Sequence, residues 1–274
     1  MEAKHLPAGE LSTTGNSKID STFKLIEDLE NVEMEFENIV RTMPNDCSEI
    51  NPTSNGLNLI APNGQKKPTM VKCMGQWTVI QSRIDGTVDF NRSWEDYSSG
   101  FGHPNGEFWI GNEMLHHLTS DNCTKLRIVM QDIYDKTWHV DYDEFRIGSR
   151  HDGYRLDIGG YSGNASNALD YQNHMQFSSI DVDRDISNSH CAGNYEGGWW
   201  FSHCQHANLN GRYNLGLTWF DSQRNEWIAV KSSIMMLSKQ TECLNNEDLN
   251  FNTQHEQHEQ QLQHSQETTT RTSI

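Results

Sequence analysis

Nothing in the 274 residues approaches eighteen consecutive apolar side chains, so no segment has the composition of a membrane-spanning helix. Basic residues are scarce: 21 Lys and Arg stand against 38 Asp and Glu, for a formal charge of −17. That balance argues against nucleic acid or an anionic membrane surface as partner. Residues 1–17 are polar and lack the apolar centre of a secretory leader, so if the protein is secreted its leader is expected outside this chain. No Cys-x-x-Cys pair occurs, which disfavours a zinc ribbon. Hydrolase motifs are also missing. Gly160-Tyr-Ser-Gly163 is one residue short of a nucleophile elbow, and His255-Glu-Gln-His258 is one short of the spacing that puts two zinc-binding histidines on one helical face. No histidine is paired with a nucleophile by any motif, so no catalytic residue is assigned and the chain is not read as an enzyme.

Six cysteines are present, an even number that allows fifteen disulfide pairings. Three glycosylation sequons accompany them, at Asn91, Asn122 and Asn164, while Asn51-Pro-Thr is excluded by its proline. Together they favour an oxidising, extracellular compartment.

Residues 1–17 are expected to be disordered. From 18 to 44 the pattern becomes helical, with Ile19, Ile26, Glu33 and Val40 at one heptad position and Thr22, Leu29, Phe36 and Met43 at another. This is an apolar seam of period 3.5, broken by one acid, and it is read as the stub of an oligomerising coiled coil that Pro44 closes. Short strands and turns follow, with Asn55-Gly56 and Asn63-Gly64 as hairpin signals. Strands are predicted over 77–84, 125–132, 139–147, 154–158, 213–220 and 227–237, and a short helix over 112–119. With no sustained βαβ alternation, the fold class is antiparallel-rich α+β. Residues 239–274 are rich in Gln, His, Glu, Asn and Thr and are expected to form a disordered tail.

The stretch 181–211 reads neither as helix nor as strand. Its Asn, Gly, Ser and Asp favour turns, so it needs another source of order. Two candidates lie inside it: a cation held by the alternating Asp181, Asp183 and Asp185, or a disulfide between Cys191 and Cys204. The loop is not an EF-hand, because Ile186 and Ala192 occupy the positions that need Gly and Glu.

A series of motifs in order resembles a fibrinogen-related domain: Gly75-Gln-Trp-Thr-Val-Ile-Gln-Ser-Arg83, Asp85-Gly86, Phe90-Asn-Arg-Ser-Trp94, Gly106-Glu-Phe-Trp-Ile-Gly-Asn112, Asp152-Gly-Tyr-Arg-Leu156, Gly159-Gly-Tyr-Ser-Gly163, Gly198-Trp-Trp200 and Ala207-Asn-Leu-Asn-Gly-Arg-Tyr213. The resemblance covers about 45–238 and implies a globule in three parts: a small amino-terminal subdomain, a central twisted antiparallel sheet that takes back the last strand, and a loop-rich, calcium-binding carboxy-terminal subdomain. It implies disulfides Cys47–Cys73 and Cys191–Cys204, leaving Cys123 and Cys243 outside the pattern. It implies a calcium ion held by the carboxylates of Asp183 and Asp185 and by backbone carbonyls at Ser187 and Ser189.

The same resemblance implies a ligand pocket lined by Tyr195, His203, Gln205 and Tyr213, beside a cis peptide at 203–204. Family members that bind acetylated sugars carry a histidine where Gln205 stands and a longer aromatic loop after Tyr213, so that calcium-dependent lectin function is the second reading. The first is a non-enzymatic secreted glycoprotein that acts by protein contact. Tyr195-Glu-Gly-Gly-Trp-Trp-Phe-Ser-His-Cys-Gln-His206 and Gly216-Leu-Thr-Trp-Phe-Asp221 are similar to an insect signalling branch of the family, which implies a Notch-type cell-surface receptor as partner, neural patterning as setting, and a homo-oligomeric state.

Overall fold

Alternation of apolar and polar side chains builds most of the structure. The computed structural model describes residues 13–240 apart from 52, 54, 63, 64 and 215, with side chains described from residue 21 onward. Two long strands show the alternation most clearly. In β6 (Thr124–Asp132) every second residue is buried, and β7 (Thr137–Ile147) pairs with it antiparallel, setting Ile128 against Val140 and Met130 against Trp138. Facing apolar pairs of this kind fix register, because a one-residue slip would turn all of them outward.

The remaining strands are β1 (Asn55–Ile60), β2 (Thr69–Met74), β3 (Trp77–Arg83), β4 (Phe101–Gly102), β5 (Phe108–Trp109), β8 (Leu156–Gly163), β9 (Ala207–Asn208), β10 (Thr218–Asp221) and β11 (Glu226–Lys239). Seven of the strands run in the order β1-β2-β3-β11-β6-β7-β8, with antiparallel neighbours throughout. The carboxy-terminal strand β11 therefore enters the middle of the sheet, between β3 and β6. Its pairing with β3 contains a register shift: Met235 faces Gln81, and the next residue, Met236, faces Val79. Adjacent residues on β11 point to opposite faces, so Gln81 and Val79 do too; the bulge re-aims the second half of β3.

Helices are few. The heptad segment forms α1 (Thr13–Arg41), which opens inside the stretch expected to be disordered because added residues extend an existing helix at little cost. From Ser21 on, its side chains are exposed except Val40 near the end. Ile19 lies among the undescribed side chains. Two short helices, α2 (Trp94–Ser99) and α3 (Asn112–Leu118), pack beside β5. The first was hidden in an aromatic segment, although Ser93 and Asp96 form a capping box around its start. A fourth, α4 (Cys191–Tyr195), lies in the loop-rich region. No helix among the described residues is long and apolar enough to cross a membrane.

Several predicted boundaries moved. Asn55-Gly56 opens β1 instead of forming a turn, because Gly56 pairs with Cys73 in the ladder. Asn63-Gly64 lies outside the described residues. The strand expected from residue 154 begins at Leu156, since Tyr154 has a left-handed backbone (φ +50°). The strand expected over 213–220 shortens to β10 because the chain around Tyr213 is a turn. The expected tail beyond residue 240 lies outside the described residues, as does His255-Glu-Gln-His258.

The core is aromatic. Trp109, Trp199, Trp200, Trp219, Tyr97 and Phe177 are fully buried, and Tyr97, Trp109, Phe177 and Trp200 meet ring to ring at 5.1–6.1 Å. Each buried ring of this size contributes about 1.5–3 kcal/mol by leaving water. The indole N–H of Trp200 donates to the Tyr154 carbonyl at 2.7 Å, which ties the Gly-Gly-Trp-Trp run to the segment entering β8.

Candidate functional site

The loop region from 181 to 216 is held by separate fasteners. The disulfide Cys191–Cys204 brings two Cα atoms to 5.3 Å across 13 residues, and Cys47–Cys73 does the same at 5.6 Å across 26 in the amino-terminal subdomain. Cys123 is also disulfide-bonded, and Cys243 lies outside the described residues.

Side chains of the aspartates do much of the remaining work. Asp181 accepts the Trp94 N–H at 2.8 Å and the Ser179 hydroxyl at 2.8 Å, fastening the loop to the first turn of α2. Asp183 accepts the N–H of Asp185 at 3.2 Å. Asp185 accepts from Ser187 N–H and from Cys191 N–H, each at 2.9 Å. The Ser187 and Ser189 hydroxyls lie 3.2 Å apart. Burial pushes the Asp185 carboxyl above its ordinary range, and the adjacent Asp183 charge pushes the same way, against the two N–H donors. Among the described residues no three His, Cys, Asp or Glu side chains converge on one point. The loop thus presents two neighbouring carboxylates, Asp183 and Asp185, which are hard oxygen donors.

The four expected pocket residues are divided. Tyr195 stacks on Phe201, with centroids 6.0 Å apart. His203 is exposed. Gln205 is buried, and its amide donates to the Thr218 hydroxyl at 3.2 Å. Tyr213 goes elsewhere. It lines a cavity of about 550 Å³ with Arg83, the 85–90 loop, Glu196, Gly211, Arg212 and Asn214, while Tyr195, His203 and Gln205 do not line it. The Tyr213 ring lies so close to Gly86 that a Cβ there would come within 2.7 Å, and Gly86 has φ +77°, so only glycine suits the position.

No cis peptide occurs among the described residues, contrary to the expected one at 203–204. The reversal is made instead by Cys204 in the left-handed region (φ +62°), with Ser202 N–H donating to its carbonyl at 2.9 Å.

Sequence reasoning missed the group that anchors this region. Arg83 and Glu107 are both buried, with 3.5 Å between Nε and Oε1. Glu107 accepts the N–H groups of Ile84 and Gly86 at 3.0 Å and of Val88 at 2.8 Å. Burial alone would raise its pKa; those N–H donors and the Arg83 charge outweigh it and hold the carboxyl below its ordinary value. Arg83 in turn donates to the Leu209 and Gly211 carbonyls at 3.1 and 2.8 Å, and Gln81 donates to Leu209 at 2.8 Å. Strand β3 thus grips the Asn-Leu-Asn-Gly turn. A glutamate inside the apolar run Gly106-Glu-Phe-Trp-Ile, downstream of a turn with unmet N–H groups, was the available signal. A second missed feature is an aromatic group at the far edge. Tyr171 stacks on His206 at 3.8 Å, Phe220 and exposed Trp227 adjoin it, and burial lowers the His206 pKa.

Of the sequons, Asn122 is exposed on a left-handed turn. Asn164 is exposed too, but its side chain accepts His139 N–H at 2.7 Å. Asn91 has its side-chain oxygen buried.

Comparison with known proteins adds a family to this geometry. The family described as fibrinogen beta and gamma chains, C-terminal globular domain, matches residues 43–246. Protein scabrous of Drosophila melanogaster is 63% identical over 227 residues, 82% of this chain and 28% of the relative. Angiopoietin-4 of Homo sapiens is 42% identical over 178 residues, 61% of this chain and 35% of the relative. Among solved structures, the fibrinogen-like globe domain of human ANGPTL6 aligns with a TM-score of 0.67 at 31% identity, covering 72% of this chain and 96% of that one. Lamprey fibrin D-dimer, complexed with the peptide Gly-His-Arg-Pro-amide, aligns with a TM-score of 0.67 at 27% identity, covering 82% and 90%. The chain spans about a third or less of the length of these two curated relatives, 28% and 35%.

Proposed function

Because the chain belongs to the family of fibrinogen beta and gamma C-terminal globular domains, we propose that it is the receptor-binding end of a secreted signalling glycoprotein, one that modulates a Notch-type receptor in neural patterning. The family is one of binding modules and not of enzymes. The observation that carries the proposal is the 63% identity to scabrous, sustained over 82% of the chain. The inward turn of Gln205 supports protein contact over a sugar pocket, since that side chain is buried and its amide N–H donates to Thr218. Immobilised chain should bind the ectodomain of a Notch-type receptor and alter reporter output in cells that carry it. Absence of both effects, with calcium-dependent retention on an N-acetylglucosamine resin, would overturn the proposal in favour of a lectin.

Calcium is proposed as the cation of the 183–189 loop. Asp183 and Asp185 would supply carboxylates and Ser187 and Ser189 main-chain oxygens; the donor set suits a weak extracellular site, with Kd of about 10⁻⁴–10⁻³ M. Bound there, the ion would neutralise the two carboxylates and order the loop. At ten times Kd it should stabilise the fold by about 1.4 kcal/mol. Melting with and without calcium checks this: Asp183→Asn with Asp185→Asn should abolish the gain, and insensitivity of the unmodified chain would refute the assignment.

The heptad helix α1 is proposed to carry self-association, which would raise avidity for clustered receptors. Light scattering on the full chain reads it directly.

A further inference from the structure

The two strands of the amino-terminal hairpin turn different faces to different neighbours. Ile60, Val71 and Cys73 are buried, whereas Leu57, Leu59, Met70 and Met74 are 40–48% exposed. The register sets Leu59 opposite Met70 and Met74 opposite Trp77, so these five apolar side chains adjoin on one outer face of the sheet. Lys72, opposite Leu57, stands among them, and the Lys125 ammonium lies 5.4 Å from the Trp77 ring centroid. Neither lysine is in an ion pair among the described residues. In a chain of net charge −17, this face joins apolar side chains to two lysines, beside Arg127, which lies 4.7 Å from the Trp77 ring centroid and is paired with Asp141.

Helix α1 has the opposite character. Leu25, Val32 and Ile39 form a third apolar column beside Ile26, Leu29 and Phe36, and these six side chains are 45–69% exposed. Three columns make a stripe wider than the two-column seam of a paired coiled coil. Between Ser21 and Arg41 stand six carboxylates (Glu27, Asp28, Glu30, Glu33, Glu35, Glu37) and two cations (Lys24, Arg41). Parallel pairing of α1 with itself in register would place Glu33 against Glu33 in the seam. From Ser21 on, the flanking positions hold Phe23, Glu30 and Glu37 on one side and Leu25, Val32 and Ile39 on the other, so no cation flanks Glu33 there.

The two surfaces complement each other in charge and in size. The stripe from Leu25 to Ile39 is about 21 Å long at 1.5 Å per residue, and the six-residue strands β1 and β2 run about 20 Å at 3.4 Å per residue. We infer that α1 of one copy lies on the outer β1–β2–Trp77 face of a second copy, acidic flanks toward Lys72 and Lys125. Made reciprocally, the contact closes at two chains; made one way, it would propagate. This rests on the self-association of α1 proposed above and names what the helix binds.

Light scattering on the full, oxidised chain tests it. The unmodified chain should have the mass of two copies, and raising sodium chloride from 50 to 500 mM should weaken the dimer, because the contact joins opposite charges. Leu59→Glu with Met70→Glu on the sheet face should raise the dissociation constant at least tenfold, and so should Leu29→Glu with Phe36→Glu on the helix. All four sites are exposed, and unchanged circular dichroism and melting would show that each variant folds. Should the helix variant become monomeric while the sheet variant stays dimeric, with dimers tightening in salt, α1 pairs with itself: self-association stands and this inference falls. A chain that is monomeric at every concentration would remove both.

Discussion

The central sheet and the 181–216 loop region obtain their order in different ways. In the sheet, β6 pairs along nearly its whole length with β7 and β11, and every residue lost removes one bond among many. The loop region has almost no ladder; beyond the burial of Trp199 and Trp200, it hangs on one disulfide, on the aspartate-to-backbone bonds of Asp181 and Asp185, and on the grip of Arg83 and Gln81. Distributed bonding tolerates single losses, and point fastening does not. The same contrast makes the sheet the frame to which the loop region is fastened. It also shows where the fasteners must be rooted, since Arg83 and Gln81 belong to β3 and only their targets belong to the loop.

Four measurements would break or sharpen that contrast. The largest effect is expected for Glu107→Ala, which leaves Arg83 buried without its partner and the N–H groups of Ile84, Gly86 and Val88 without an acceptor. Chemical denaturation should show a loss of about 3–5 kcal/mol. A loss below about 1 kcal/mol would mean that the turn is held by something else. Next, Cys191→Ser with Cys204→Ser opens a loop closed across 13 residues and should cost about 3 kcal/mol. Hydrogen exchange should then speed up in residues 185–205 before it changes in β6 and β7; simultaneous loss in both would erase the distinction between the regions.

A smaller effect is expected at the rim of the loop. Asp181→Ala removes the acceptor for Trp94 N–H and should cost about 1–2 kcal/mol, with α2 fraying first. The mildest is a pH dependence. The Glu107 carboxyl is held below its ordinary value, so its contribution is fully present above that ordinary value and fades as pH falls through the depressed one. Stability should therefore decline on acidification below about pH 4.3, the ordinary glutamate value, and less steeply in Glu107→Gln. Equal slopes in the two proteins would assign the acid sensitivity to other carboxylates.

Much of the sheet was legible because its signal is local. Alternation in 125–132 and 139–147 marks β6 and β7 from a few neighbouring residues, and the heptad marks α1. Helix α2 escaped because six residues carry too little periodicity, though Ser93 and Asp96 were there to be seen. At the site, the pairing of Cys191 with Cys204 followed the family resemblance. The destinations of Gln205 and Tyr213 did not, since each is settled by a partner far along the chain: Thr218 for one, and Gly86 with Ile84 for the other. A side chain on a turn has no period to declare its face.

By itself the sequence determined the antiparallel α+β frame, the long strands β3, β6, β7 and β11 and the heptad helix, because each follows from side-chain spacing along one segment. Only the tertiary structure decided that Glu107 closes the turn after β3, that a bulge aims Gln81 and Arg83 at the Asn-Leu-Asn-Gly turn, and that the expected pocket residues part company. Those outcomes depend on which buried donor meets which acceptor across as many as 129 residues. A buried polar group must find a partner wherever the fold brings one, and spacing along the chain does not encode where that is.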